Sequence, residues 1–457
     1  MPLNYTGAIR DPIHNYIRVT NAETDLINST FIQRLRWVSQ LSGVRMVFPG
    51  AMHSRLAHVL GVAQLAGEYA EQIYKDDDDQ NYKIQLARLG GLLHDVGHGP
   101  YSHAYDDTVY RDLYPGNMHG HDTHRFKIIE SDFVKPFIEA TGVELKDLVG
   151  LWKGEDKVMQ AITQGAIGAD RVDFMLRDGY YAGTTHFGTV AVKRIIDNAR
   201  IADHDGSPSL HYNLKVLEDI FQALLGRFYM YRGVYFNKTS AASDILIRKL
   251  LSAAKDPLDL VSRTDNLEDY QWVNEYTLMG EIFGGKSEEL KEAKYYAKRL
   301  MARKLPKLVW EITLPESQVI AITGDLERDS QTIARGRIIE KIEDEADRRG
   351  IERPELYVVN TYPMSTIDHQ EWSVGKIFLY DDTGSLEAGR HSFTLQEAID
   401  KTTYFQSFLS GVQTGRERYV MIRVFSDAKD SDWIRKFVKT ETEDGVQPNI
   451  SETSYWK

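Results

Sequence analysis

Histidine is concentrated in one part of this chain: eight of its fourteen histidines, His53, His58, His94, His98, His103, His119, His121 and His124, lie between positions 53 and 124. Imidazole both ligates metals and moves protons near neutral pH, so this stretch is where a site is sought. The string Leu86-Ala-Arg-Leu-Gly-Gly-Leu-Leu-His94-Asp95-Val-Gly-His98-Gly-Pro-Tyr-Ser-His103 begins as an apolar helix and runs into Gly97, Gly99 and Pro100. That pattern predicts His94 and Asp95 in the last helical turn, with His98 and His103 on a turn and a new helix start. A helix C-terminus favours a cation. Neighbouring residues of a helix point about 100° apart, so His94 and Asp95 reach one ion only if other helices complete the set. In Leu56-Ala-His-Val-Leu-Gly-Val-Ala-Gln-Leu-Ala66 the angular count places His58 between Leu65 and Val62, opposite Gln64 and Glu68, and so facing inward. In Gly168-Ala-Asp-Arg-Val-Asp-Phe-Met-Leu-Arg-Asp178, Asp170, Phe174 and Asp178 share one helix face, while Asp173 and Arg177 pair on another. Two histidines and two carboxylates without thiolate suit a divalent ion such as Mn, Fe, Zn or Ni, with Mg also admissible and water in the open positions. Such an ion activates water and neutralises phosphate.

The elements that must carry these residues are mainly helical from Asn28 to about Leu250, with apolar residues three and four apart. Ile13 to Val19 reads as a short strand or hairpin ahead of them. The charge run Lys75 to Asn81 is a solvated loop, and Tyr114 to His121 and Asp203 to Ser209 are rich in breakers. After about Leu305 the period changes. Lys307–Leu314, Leu356–Tyr362, Lys376–Tyr380 and Arg418–Phe425 read as strands, with helical stretches around Ile333, Ile338, Ile339 and Ile342 and from Leu395 to Leu409. The order β-α-β-β-α-β is that of a ferredoxin-like unit. The expectation is a mainly α protein, with a helical core over residues 1–300 and a C-terminal α+β lobe over 301–457 that serves regulation or assembly.

Composition narrows the class. The chain has 457 residues, 42% of them hydrophobic, and no apolar run approaches the length a membrane-spanning helix needs. Met1 to Arg10 has no basic and apolar leader pattern, so a cytoplasmic protein is expected. The absence of cysteine removes disulfides, thiolate ligands and thiol nucleophiles together. A net charge of −12 argues against a generic electrostatic grip on nucleic acid and leaves only a local basic groove open.

The pattern His58, His94-Asp95 and Asp170 resembles the H…HD…D signature of the HD-domain metal-dependent phosphohydrolases. The longer strings Ile32-Gln-Arg-Leu-Arg-Trp-Val-Ser-Gln-Leu41, Val47-Phe-Pro-Gly-Ala-Met-His-Ser-Arg-Leu-Ala-His58 and His94 to His103 are similar to one branch, the deoxynucleoside triphosphate triphosphohydrolases. The resemblance covers roughly residues 8 to 250, with its motifs between 28 and 238. It implies an HD-domain helical core in which His58, His94, Asp95 and Asp170 hold the metal. His98, His103, Asp106 and His124 would line the α-phosphate, with His103 the leading proton donor to the departing 5′-oxygen. His121 is the rival to His124, and His119 is a loop residue. Arg55, Arg171 and Arg227 would bind the triphosphate. Gln40 and Asp178 would hold the 3′-hydroxyl, Leu41 and Tyr235 would crowd C2′, and Tyr231 would lie near the base.

The residue types suit those roles. Guanidinium groups stay protonated and present fork-shaped donors to a polyanion. Arg227, Tyr231 and Tyr235 recur at i, i+4 and i+8, placing charge and then two rings along one face, although Phe228, Tyr229, Tyr231 and Tyr235 also fit an aromatic core. Phe174 stands where the family usually has a tyrosine under the sugar, which keeps stacking and loses a hydroxyl. Asn28, Gln33, Arg36, Val47 and Phe48 match regulatory-pocket positions. Asn28 replaces the aspartate that reads guanine there. The implied partners are a dNTP, an activating second nucleotide and further copies of the chain, most simply in a tetramer, with no membrane. The rival readings are an HD phosphohydrolase of other specificity, such as a nucleoside monophosphatase or cyclic-nucleotide phosphodiesterase, and a non-catalytic binder of nucleotides or single-stranded nucleic acid.

Overall fold

The structure is a computed structural model that describes residues 3–117, 119–315, 317, 333–364, 377–383, 386, 390–403 and 419–441. Met118, Lys376, Arg418 and positions 404–409 of the second expected C-terminal helix lie outside the described residues. The chain begins with the antiparallel hairpin β1 (Gly7–Asp11) and β2 (Asn15–Val19), in register from Gly7 opposite Val19 to Asp11 opposite Asn15. Alternation buries Ile17 and Val19 beneath it.

Two helices, Arg55–Ile73 and Gln80–Leu93, form the centre. Their apolar residues are small enough for close approach: a Cβ on Gly91 would lie 2.9 Å from the backbone of Val62 and Ala63. The Arg55–Ile73 helix is buried almost all round, Gln64 included, because the hairpin covers its outer side and Gln64 Oε1 accepts a bond from Arg18 N at 3.1 Å. The helix Ala169–Tyr181 packs across it. Behind the segment after His103 runs the helix Lys238–Lys255.

The helical half holds a strand pair that periodicity did not separate. Ala199–Asn213 is the hairpin β3 (Ala199–His204) and β4 (Ser207–Asn213), turning at Asp205 and Gly206 with φ of 51° and 78°. The breaker-rich stretch is its tip, where Asp-Gly suits a tight hairpin turn.

The C-terminal lobe is α+β, but its strands are not in ferredoxin-like order. β5 (Lys307–Pro315), β9 (Tyr419–Ser426) and β6 (Leu356–Met364) form a three-stranded antiparallel sheet in the order β5-β9-β6. The strand expected third leaves it. β7 (Phe378–Tyr380) runs parallel to β4 and antiparallel to β8 (Ser392–Thr394), giving a sheet β3-β4-β7-β8. Leu379, Phe393 and Leu395 join the main core beside Leu210 and Tyr212. A three-residue apolar strand satisfies either sheet edge equally, so its sequence pattern does not choose between them. The expected helix around Ile338 and Ile342 is present as a π-helical turn, Arg335–Ile339, leading into Glu340–Arg349. It packs with β5, β9 and the helix Ala428–Glu441 in a second, smaller core. Among the described residues no helix is long and apolar enough to cross a membrane.

Candidate metal centre and adjoining histidine cluster

The helix Gln80–Leu93 ends just before His94, so His94 and Asp95 stand in the turn beyond it rather than in its last turn, and the carbonyls of that turn are taken up by side chains. Arg125 Nη1 donates to His94 O at 2.8 Å, and Arg34 Nη2 donates to Val96 O at 3.0 Å and His98 O at 2.7 Å. Tyr110 and Tyr270 donate to Gly97 O at 2.5 and 2.8 Å. The turn His94–His98 is thereby fixed in place, as a buried helix end requires.

Four side chains converge there. His58 Nε2 lies 3.2 Å from Asp170 Oδ1 and 4.0 Å from Asp95 Oδ2. His94 Nε2 lies 3.3 Å from Asp95 Oδ1 and 3.6 Å from Asp170 Oδ1. Both rings present Nε2 because Nδ1 is engaged elsewhere: His94 Nδ1 donates to Gly91 O at 2.7 Å and His58 Nδ1 to Asp173 Oδ2 at 2.8 Å. His94 Nε2 is buried without a hydrogen-bond partner. An orphaned lone pair in a pocket with two carboxylates fits a divalent cation, and the mixed N and O donor set suits a first-row ion.

The electrostatics agree. Burial is the largest influence on His58 and pulls its imidazole down, but Asp170 and Asp173 outweigh it and hold the group up at about 10. Burial would also raise Asp170 and Asp95. His58 and His94 hold Asp170 well below the usual carboxylate range, and the Arg55 guanidinium does the same for Asp95. The pocket is built to retain positive charge.

A second group adjoins the first through His98, whose Nε2 is 3.4 Å from Asp95 Oδ1. The chain reaches it through a strained turn with Tyr101 and Ser102 at φ of 61° and 54°. Ser102 Oγ is pinned between Arg55 Nε, which donates at 2.8 Å, and Ser39 O, which accepts at 2.9 Å. His103, 68% exposed at its side chain, lies 3.3 Å from Asp106 Oδ2 through Nδ1. His121 Nδ1 lies 2.8 Å from the same oxygen, and its ring stacks on His98 with centroids 3.7 Å apart. Burial would raise Asp106, yet His103 and His121 hold it well below the usual range. Burial, with Arg55 and His121 adding to it, pushes His98 well below its ordinary value, so its ring is neutral at neutral pH.

His124 stands apart from this group. Its ring is fully buried edge-on to Tyr270 at 4.5 Å, and Nδ1 meets Tyr114 Oη at 2.8 Å. His121, the rival position, occupies the place expected for His124. Both lie on the helix Gly120–Ile129, where a three-residue step changes the face only slightly, so spacing alone does not decide between them.

Several of the other expected residues touch one another. Asp178 Oδ1 is 2.7 Å from His53 Nε2, and Oδ2 accepts from Tyr235 Oη at 2.6 Å. Gln40 N donates to His53 O at 3.1 Å, so Gln40 and Asp178 meet around His53. Phe174 stands edge-on to Tyr235 at 6.3 Å, with the Arg227 guanidinium 5.8 Å from its ring. Tyr231 lies between, 5.1 Å from Tyr235 and 5.4 Å from Arg227, where the helix Leu217–Met230 opens into a π-helical turn. Leu41 and Arg171 are half-buried. Of the positions expected to form a regulatory pocket, Arg36 donates to Gln33 Oε1 at 3.2 Å on the surface, Asn28 is exposed at a helix end, Val47 is half-buried and Phe48 is turned into the core.

Residue reasoning missed His53, His14 and the part played by Asp173. The string Gly50-Ala-Met-His-Ser-Arg55 held the signal for His53; nothing local marks His14, whose partner Asp173 lies 159 positions along the chain.

Residues 55–165 match the family model described as the HD domain. The chain carries an HD domain over these residues. The HD chain is 30% identical to an uncharacterised protein of Methanocaldococcus jannaschii over 53% of its own length and 48% of that protein's. It is 26% identical to a deoxynucleoside triphosphate triphosphohydrolase SAMHD1 homolog of Dictyostelium discoideum over 72% of this chain and 65% of the relative. It is 25% identical to the deoxynucleoside triphosphate triphosphohydrolase SAMHD1 of Homo sapiens over 71% of this chain and 58% of the relative. The chain thus spans about half to two thirds of the length of these relatives. The HD match starts at Arg55, the first residue of the helix that carries His58, and takes in His94 and Asp95.

Proposed function

We propose that this HD-domain phosphohydrolase hydrolyses deoxynucleoside triphosphates to deoxynucleoside and tripolyphosphate. The observation that carries the proposal is the direct abutment of the two groups: His98 joins the His58, His94, Asp95, Asp170 pocket to the His103, Asp106, His121 cluster. The similarity to deoxynucleoside triphosphate triphosphohydrolases supports it. His58, His94, Asp95 and Asp170 would hold a divalent cation, Mn, Fe, Zn, Ni or Mg. When bound, it supplies Lewis acidity toward water and a phosphate oxygen.

The chain's own groups do the rest. Arg55, Arg171 and Arg227 offer guanidinium donors to the triphosphate. His103 hands a proton to the departing 5′-oxygen, and Asp106 orients its ring through Nδ1. His98, neutral and fixed between Asp95 and His121, is placed to accept a hydrogen bond from the attacking water. Asp178, held at both oxygens by His53 and Tyr235, together with Gln40 receives the 3′-hydroxyl. Leu41 and Tyr235 crowd C2′ against a ribose hydroxyl, Phe174 stacks on the sugar and Tyr231 approaches the base. A second nucleotide at Asn28, Gln33, Arg36, Val47 and Phe48 acts as activator in a cytoplasmic homotetramer.

Chromatography of a dGTP or dATP digest with Mn or Mg tests the reading. Intact tripolyphosphate is the expected product. Single phosphate would mark an HD phosphohydrolase of other specificity. Intact dNTP with every ion and activator, alongside tight salt-sensitive oligonucleotide binding, would mark a non-catalytic binder.

A further inference from the structure

Behind His58 lies a buried network that the proposed chemistry does not use. Asp173 is fully buried and each of its oxygens has two donors. Oδ1 takes His14 Nε2 at 2.6 Å and Arg177 Nη2 at 2.9 Å. Oδ2 takes His58 Nδ1 at 2.8 Å and Arg177 Nε at 2.9 Å. Arg177 continues to Asp11, with Nη1 to Oδ2 at 2.8 Å. Asp11 Oδ1 then accepts the backbone N–H groups of Ile13 and His14, each at 2.9 Å, so the turn that carries His14 folds around the same carboxylate. The Arg55–Ile73 helix makes room for this: a Cβ on Gly61, three residues past His58, would run into Asp173 Oδ1 and Arg177 Nη2.

We infer that His14, at the turn of the β1–β2 hairpin, is a positioning residue for the metal centre: it holds Asp173, which holds His58 with Nε2 facing Asp170 and Asp95. The inference rests on the metal-binding reading of His58, His94, Asp95 and Asp170 and is independent of the substrate. A ligating imidazole whose other nitrogen donates to a carboxylate is fixed in tautomer and orientation, and removal of such support typically weakens metal binding. Here the support is itself supported. Without His14, Oδ1 loses one of its two donors in a dry setting, and the Arg177 fork alone is left to hold the carboxylate against His58. His94 needs no such device, because its Nδ1 is held by a backbone carbonyl one helical turn back.

The test is Mn²⁺ titration of the chelator-stripped full chain by calorimetry, with far-UV circular dichroism as a check on folding. His14→Ala should raise the Mn²⁺ dissociation constant roughly 10–100-fold at unchanged helicity. His14→Gln, whose amide can donate the same bond to Asp173, should recover most of that loss; a purely structural role for the hairpin would not show this rescue. Should His14→Ala fail to fold, Asp173→Asn keeps the shape, puts a donor against a donor, and is expected to weaken Mn²⁺ binding by a similar factor. Binding within about twofold of wild type in the folded variants would overturn the inference alone. Failure of the wild-type chain to take up Mn²⁺ would overturn the metal reading beneath it.

Discussion

At Asp106 two imidazoles share one carboxylate, and they differ in what else surrounds them. His121 is buried and stacked on His98, whereas His103 reaches into solvent from the end of a strained turn. Of the two, His103 is the one that meets solvent while its ring is oriented by Asp106. His103→Ala should therefore lower turnover by about 10² or more while metal content, read by elemental analysis, stays at the wild-type level. His124 makes a contrasting prediction. Burial, then Arg34 and Lys127, push its imidazole down to about 3. The unfolded chain takes up a proton there as pH falls below the ordinary value near 6.5, and the folded chain does not until near 3. The stability this ring contributes is complete above about pH 6.5 and declines on acidification by up to ~1.4 kcal/mol per pH unit. His124→Phe should remove that slope, so the stability difference between wild type and variant should shift by roughly 2 kcal/mol between pH 7 and pH 5, measured by urea unfolding. Its turnover should stay within a few-fold of wild type.

Elements matter through how closely they approach. The central helices cross where Gly91 meets the backbone of Val62 and Ala63, and that crossing sets how near His58 and His94 come, with ring centroids 5.2 Å apart. Gly91→Ala needs the helices to separate by several tenths of an ångström, costing on the order of 1–3 kcal/mol in a packed core. The expected outcome is a lower thermal midpoint together with weaker Mn²⁺ uptake, read in one preparation by calorimetry. Periodicity located these helices and turned His58 inward, because a buried helix shows its repeat in any window of its sequence. It did not separate His121 from His124 or resolve the Ala199–Asn213 hairpin. The first turns on contacts with Asp106 and Tyr270 rather than on helical spacing, whereas the second is a local hairpin whose signal was its Asp-Gly turn rather than its periodicity.

For the molecule as a whole, the C-terminal lobe is tied to the HD half. β7 extends the β3–β4 hairpin, and Leu379, Phe393, Leu395 and Ile399 belong to the main core. Regulation exerted through the lobe would act along that shared sheet. If a second nucleotide binds at Gln33 and Arg36 and assembles the chain, Arg36→Ala should abolish activation and the nucleotide-dependent rise in sedimentation coefficient while basal cleavage persists. Unchanged activation would remove this pocket from the proposal. Arg36 is suited to the test because its guanidinium lies on the surface and bonds only to neighbouring Gln33 among the hydrogen bonds of the described residues.

Residue type and spacing by themselves determined the chemistry available to this protein: two imidazoles and two carboxylates on helices or in the turn just past one, no thiol, and the H…HD…D order. Those properties are local and survive in a linear string. Tertiary structure alone decided that His121 faces Asp106, that His53 and Tyr235 clamp Asp178, that a C-terminal strand crosses to the other sheet, and that a hairpin histidine stands behind His58. Each of these depends on which of several chemically equivalent partners lies within hydrogen-bond reach after packing, and sequence separation carries no trace of that distance.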